Sequence, residues 1–101
     1  ALTMLGAPLS SAEAESMGLI HLASREDEFD NDVNRLSQTL ANMPTKGLGM
    51  TKKAFHAGLT NSLEEQLSLE LDLQFQAAET SDYAEGVAAF LEKRAPKFKG
   101  Q

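Results

Sequence analysis

The chain has no cysteine and no tryptophan, and its 101 residues include only one tyrosine and three prolines. Without cysteine there is no disulfide, no thiolate zinc site and no cysteine nucleophile. Such a composition suits a reducing compartment, and a cytoplasmic location is expected. Long apolar runs are missing too. None approaches the roughly 20 residues needed to cross a bilayer, and no secretory leader pattern opens the sequence. Positive charge is scarce: 9 Lys and Arg stand against 15 Asp and Glu, a net charge of −6. Phosphate backbones need a positive field that this surface lacks. Neither a membrane nor a nucleic-acid partner is therefore expected.

What is present is an ordinary globular apolar content of 42%, which argues against wholesale disorder. A chain this short makes one small domain, hiding about two thirds of the surface of its unfolded form. It opens on Ala1 rather than Met, which leaves a processed start and a fragment both open. Lys93, Arg94, Lys97 and Lys99 gather near the end, so an acidic body carries a basic tail.

Helix signals recur along the sequence. Ser10 and Glu13 stand at capping-box spacing and Gly18 closes that segment. Leu19 to Leu22 is a brief apolar stretch, read as extended. Ser24 is a cap candidate for the next helix, with Glu26, Asp27 and Glu28 in its first turn. Phe29, Val33, Leu36, Leu40 and Met43 form its stripe. Pro44 ends that helix and pre-sets another, which Gly58 can stop. Gly47 and Gly49 early in it point to something packed close against the backbone.

Leu67, Leu69, Leu71, Leu73 and Phe75 alternate with polar residues, which taken literally is a strand period. The residue types overrule it. Leu, Glu, Gln and Ala are good helix formers, and no β-branched residue lies between Leu63 and Ala78. As a helix, capped by Ser62 and Glu65, it carries one stripe of Leu63, Leu67, Leu71 and Phe75. Leu69 and Leu73 make a second stripe on another side. A helix apolar on two sides is sandwiched, and in so short a chain the second surface is expected to be another subunit. The last helix starts near Ser81 or Asp82, with Asp82 and Glu85 at cap spacing, and Pro96 stops it. Tyr83, Val87, Phe90 and Leu91 give its face.

Catalytic chemistry is sparse. His21 and His56 stand apart without a second ligand type at helix spacing, so both read as structural or surface groups and no metal site is expected. Glu64, Glu65, Glu70 and Asp72 read as a solvated helix face rather than an acid/base pair. Gly47-Leu48-Gly49-Met50-Thr51-Lys52 fails as a phosphate loop, because Thr and Lys stand in the wrong order behind a proline. It fails as a dinucleotide site for want of a strand and a third glycine. Met4, Met17, Met43 and Met50 read as core filler. The basic terminus leaves two readings open. Phe90 and Lys93, three apart on one helix face, could hold a flat ring and a phosphate, or the segment is a frayed, solubilising helix end.

The run Asp82-Tyr83-Ala84-Glu85-Gly86-Val87-Ala88-Ala89-Phe90-Leu91-Glu92-Lys93-Arg94-Ala95-Pro96-Lys97-Phe98-Lys99-Gly100 resembles the terminal signature of the enoyl-CoA hydratase/isomerase (crotonase) family. Gly6-Ala7-Pro8-Leu9-Ser10-Ser11-Ala12-Glu13-Ala14, followed by Gly18-Leu19-Ile20, resembles an earlier segment of the same family. Pro44 and Met50-Thr51-Lys52-Lys53-Ala54 resemble its next helix. Gly47-Leu48-Gly49 and the run from Asn61 to Glu70 look closest to the phenylacetate-pathway branch, whose members isomerise a ring-epoxidised phenylacetyl-CoA.

Family members are longer, and the resemblance covers their C-terminal helical part. It implies an all-α chain that is the C-terminal helical, oligomerisation segment of a crotonase-fold α/β protein. Residues 1–23 would be a short helix and connector to a core this sequence lacks, and residues 24–101 a helical trimerisation domain with a basic tail. The parent would be a hydratase, lyase or isomerase of fatty-acid or phenylacetate metabolism, acting on an acyl-CoA thioester through an enolate. Its oxyanion donors and acid/base residues belong to the core, so no catalytic residue is carried over and the chain alone is expected to be inactive. Phe90 and Lys93 match residues near the coenzyme A adenine and phosphates, with the thioester as substrate and no further cofactor. A homo-oligomer, a trimer or a dimer of trimers, is implied. The alternative is a stand-alone helical interaction module without catalysis.

Overall fold

A computed structural model describes residues 2–101, and among them there are six helices and no strand. They are α1 Leu2–Leu5, α2 Ser11–Ser16, α3 Phe29–Ala41, α4 Thr45–Ala57, α5 Leu63–Ala78 and α6 Ser81–Glu92. The all-α expectation holds. Two compact units divide within α3, one reaching Arg35 and the other running from Leu36 to Gln101.

In the first unit α2 is closed at both ends by local chemistry. Glu13 accepts from the Ser10 N–H at 3.0 Å, and the Glu13 N–H donates to Ser10 Oγ at 3.3 Å, the reciprocal box that satisfies two orphan donors. At the other end Gly18 turns left-handed at φ 72°. The Gly18 N–H then reaches Glu15 O at 2.9 Å and the Leu19 N–H reaches Ala14 O at 2.8 Å, which is a Schellman turn. Leu19 to His21 form bends rather than an extended stretch. Ser24 does not cap α3. A turn over residues 26–28 intervenes, fastened by Arg25 gripping both oxygens of Asp27 at 3.1 Å. The acids in the first turn of α3 are accordingly Asp30 and Asp32, not Glu26 to Glu28.

In the second unit α5 packs on α4 and on α6. Ser62 and Glu65 form the expected capping box. Gln66 ties α5 to α4, donating to Ala54 O at 3.2 Å and to Glu70 at 2.8 Å while accepting from Asn61 at 3.0 Å. The inner face of α5 carries half-buried Leu69 and Ala77 around buried Leu73. Its other stripe is bare: Leu63, Leu67, Leu71 and Phe75 are 57 to 70% exposed. The two-sided helix is therefore real, with one side covered. The α3 stripe from Phe29 to Met43 is also exposed.

Two expectations fail. A Cβ on Gly47 or Gly49 would meet nothing within 4 Å, so no close packing explains these glycines within the described chain. Met4, Met17 and Met43 are exposed rather than core filler. The chain exposes 8317 Å², whereas separate compact bodies the size of its two units would together expose about 6,700 Å².

Candidate functional site

The second unit holds two open grooves that share Pro44, Gly47 and Ala77. The larger, about 760 Å³, follows α4 and α5, with Gln66 and Glu70 as its polar edge. Glu70 is thus a groove residue bonded to Gln66, not simply part of a solvated face. The smaller, about 420 Å³, lies among the start of α4, the end of α5, α6 and the tail, and its walls include Tyr83, Val87, Phe90, Leu91 and Phe98. Glycine at position 47 keeps the backbone of α4 bare where both grooves meet.

The tail forms part of that smaller groove because it does not fray. α6 begins at Thr80, whose hydroxyl accepts from the Tyr83 N–H at 3.1 Å, so Asp82 and Glu85 are free of capping duty. Asp82, only 3% exposed, takes the Lys99 N–H on one oxygen and the Gly100 N–H on the other, each at 2.7 Å. Glu85 takes the Lys97 N–H at 2.7 Å and two guanidinium bonds from Arg94 at 2.6 and 3.0 Å. Those bonds, the Arg94 pair first, hold the Glu85 carboxyl down to about 2, since each favours the ionised form. Gln101 O accepts from the Asp82 N–H at 3.1 Å and from Ser81 Oγ at 2.9 Å. The cap spacing of Asp82 and Glu85 thus has another meaning: both belong to a strap.

Phe90 stands in the groove wall and is 82% exposed as a residue. Lys93 does not line the groove. Helix α6 stops at Glu92, and Lys93 sits beyond it in the left-handed region at φ 55°, ψ 38°. The face shared by two helical residues three apart therefore does not apply to this pair. Arg94 is committed to Glu85 and Glu92, whereas Lys93 makes no ion pair among the described residues. His21 lies on an exposed bend and His56 in the last turn of α4. Among the described residues no three His, Asp or Glu side chains converge as a metal site would require, and no helix is long and apolar enough to cross a membrane.

A family model described as enoyl-CoA hydratase/isomerase matches residues 1–101. The 1,2-epoxyphenylacetyl-CoA isomerase of Escherichia coli K12 is 41% identical over 100 residues, a match covering 99% of this chain and 38% of that protein. Among solved structures, an enoyl-CoA hydratase subunit I of Geobacillus kaustophilus HTA426 superposes with a TM-score of 0.89 at 32% identity, covering 99% of this chain and 40% of the other. The enoyl-CoA hydratase of Bacillus anthracis gives a TM-score of 0.79 at 26% identity, over 92% and 36% respectively. The chain thus spans well under half the length of the relatives it matches.

Proposed function

The chain belongs to the enoyl-CoA hydratase/isomerase family, and from that premise we propose that it serves an acyl-CoA hydratase or isomerase as its helical part, giving oligomer contacts and part of the coenzyme A pocket. Residues 1–23 would lead from a crotonase core and residues 24–101 would form the trimerisation domain, within a cytoplasmic trimer or dimer of trimers. In the parent, a thioester enolate forms while water adds or a proton moves. No residue of this chain is assigned to that step, and the chain alone is expected to turn over no substrate. One relative, the 41% identical 1,2-epoxyphenylacetyl-CoA isomerase, supports a ring-epoxidised phenylacetyl-CoA of phenylacetate breakdown as the substrate.

The observation that carries the proposal is Phe90, a residue 82% exposed on an apolar groove one turn ahead of an unpaired lysine. An adenine stacks on such a ring, a contact that alanine substitution values at about 1–3 kcal/mol per base. The Lys93 ammonium supplies a point charge for a phosphate, whereas the neighbouring guanidinium is already spent on carboxylates. The bare stripe of α5 supports the oligomer reading, because four large apolar side chains on one face are stabilised by being covered.

Calorimetric titration of coenzyme A into the chain, beside Lys93→Ala and Phe90→Ala, tests the pocket. Phe90→Ala is expected to weaken binding about five- to 150-fold, and Lys93→Ala to weaken it as well. An affinity unmoved by Lys93→Ala would remove the pocket from the reading. The exposed α5 stripe also favours a second reading, a stand-alone interaction module. That reading predicts association through α5 with no coenzyme A binding by any of the three proteins.

A further inference from the structure

Asp82 and Glu85 stand three apart on α6 and so share a face, and the tail runs back along that face. The order is reversed, as in a strap: Lys97 meets Glu85, Lys99 and Gly100 meet Asp82, and Gln101 meets Ser81. An acid in the first turn of a helix is stabilised by the macrodipole while exposed to water. Nothing in that role requires burial. Asp82 is nevertheless 3% exposed, with both oxygens spent on amides 17 and 18 residues away. A buried carboxylate persists only when its lone pairs are taken, and here the tail backbone takes them.

The fastened segment contains Phe98. Its ring rests on Gly86, where an added Cβ would stand 3.6 Å from Cε1, and it lines the same groove as Phe90. Beyond it Gly100 turns left-handed at φ 74°, and a side chain there would run into Thr45 at the start of α4. Thr45 adjoins Pro44, which lines the groove as well. The strap therefore meets the groove through Phe98, which lines it, and through Thr45, the neighbour of Pro44.

We infer that Asp82 and Glu85 are positioning residues: their carboxylates hold the tail backbone so that Phe98 stands as a fixed wall of the groove beside Phe90. Neither needs to touch a ligand. Both act through Phe98. The consequence for coenzyme A rests on the function proposed above; the placement of Phe98 does not.

The test reads the two separately in the full chain. The Phe98 ring atoms Cε1 and Cζ lie against Gly86, so the Gly86 Hα NMR shifts carry its ring current, and Phe98→Leu defines the value without it. In Asp82→Asn, which keeps the side-chain shape but offers one N–H side an amide, the Gly86 shifts are expected to move most of the way to the Phe98→Leu value. The remaining α5 and α6 resonances should stay in place. Coenzyme A affinity should fall about two- to tenfold, as expected for one lost aromatic contact, and Asp82→Asn with Phe98→Leu should bind no more weakly than Phe98→Leu alone. Additive losses, or Gly86 shifts unmoved in a folded Asp82→Asn, would overturn the inference. Should Asp82→Asn unfold, Glu85→Gln takes its place, removing the ionised acceptor that the Lys97 N–H shares with Arg94, with the same two outcomes. If the unsubstituted chain binds no coenzyme A, the proposed pocket fails, while the Gly86 shifts still decide the role of Asp82.

Discussion

Helices α2 and α6 end in the same turn built on different residues. At the end of α2 the left-handed position is Gly18, and the Gly18 and Leu19 N–H groups return to Glu15 and Ala14 at 2.9 and 2.8 Å. At the end of α6 it is Lys93, and the Lys93 and Arg94 N–H groups return to Phe90 and Ala89 at 3.3 and 3.0 Å. Glycine enters this region freely, whereas a residue with a Cβ gives up about 1–2 kcal/mol there. The backbone beyond each turn differs too. After Gly18 the chain passes into bends, while after Lys93 it is fastened to Asp82 and Glu85. The strap over-determines the turn at Lys93, and strain kept in that way marks a side chain with work to do outside its own backbone. An unpaired ammonium at the phosphate subsite proposed above would be work of that kind.

The largest effect should come from the glycine end. Gly18→Val places a β-branched side chain at φ 72°, and a loss of about 1–2 kcal/mol in local stability is expected. Hydrogen exchange at the Leu19 amide should speed up about five- to thirtyfold by the same free energy. An unchanged rate would mean that the turn tolerates a side chain and that nothing distinguishes the two ends.

The lysine end should respond with the opposite sign and a smaller size. Lys93→Gly relieves the left-handed strain, and a gain of about 0.5–1 kcal/mol is expected in urea unfolding after the entropy of a new glycine is counted. The same substitution removes the ammonium, so coenzyme A binding should weaken as stability rises. A variant that loses stability would show that Lys93 is not strained, and the comparison would break.

How much of the fold and the grooves is legible in the sequence depends on distance along the chain. The boxes at Ser10 with Glu13 and at Ser62 with Glu65 close over three residues, and both stand as expected. Residue type alone is enough to separate helix from strand between Leu63 and Ala78, and the helical period gives its two stripes. Ser24 misleads because a serine before three acids is a sound local cap, yet the chain uses Arg25 and Asp27 to make a turn first. Asp82 and Glu85 mislead for the opposite reason. Their spacing fits a cap, but Thr80 already performs it, and their partners lie 12 to 18 residues downstream where no local pattern points. The pairing of Phe90 with Lys93 on one face needs a helix one residue longer than the one that forms.

The smallest effect should appear in acid, and it separates the strap from the cap at the start of α2. Glu13 is lowered by the Ser10 hydroxyl and then by its N–H, an exposed arrangement within one turn. Glu85 is lowered to about 2 by Arg94 and then by the Lys97 N–H. A carboxyl depressed in the folded state stabilises it fully above its ordinary value of 4.5 and loses that contribution as pH falls through its folded value. The fastening of Lys97 should therefore persist through pH 4.5 and be released only toward pH 2. The Lys97 amide shift, followed by NMR as pH is lowered, is expected to move with a midpoint near 2 and to show no such step in Glu85→Gln. A midpoint near 4.5 would mean that Glu85 gains nothing from Arg94 and the tail amide. The strap would then rest on the bonds from Lys99 and Gly100 to Asp82.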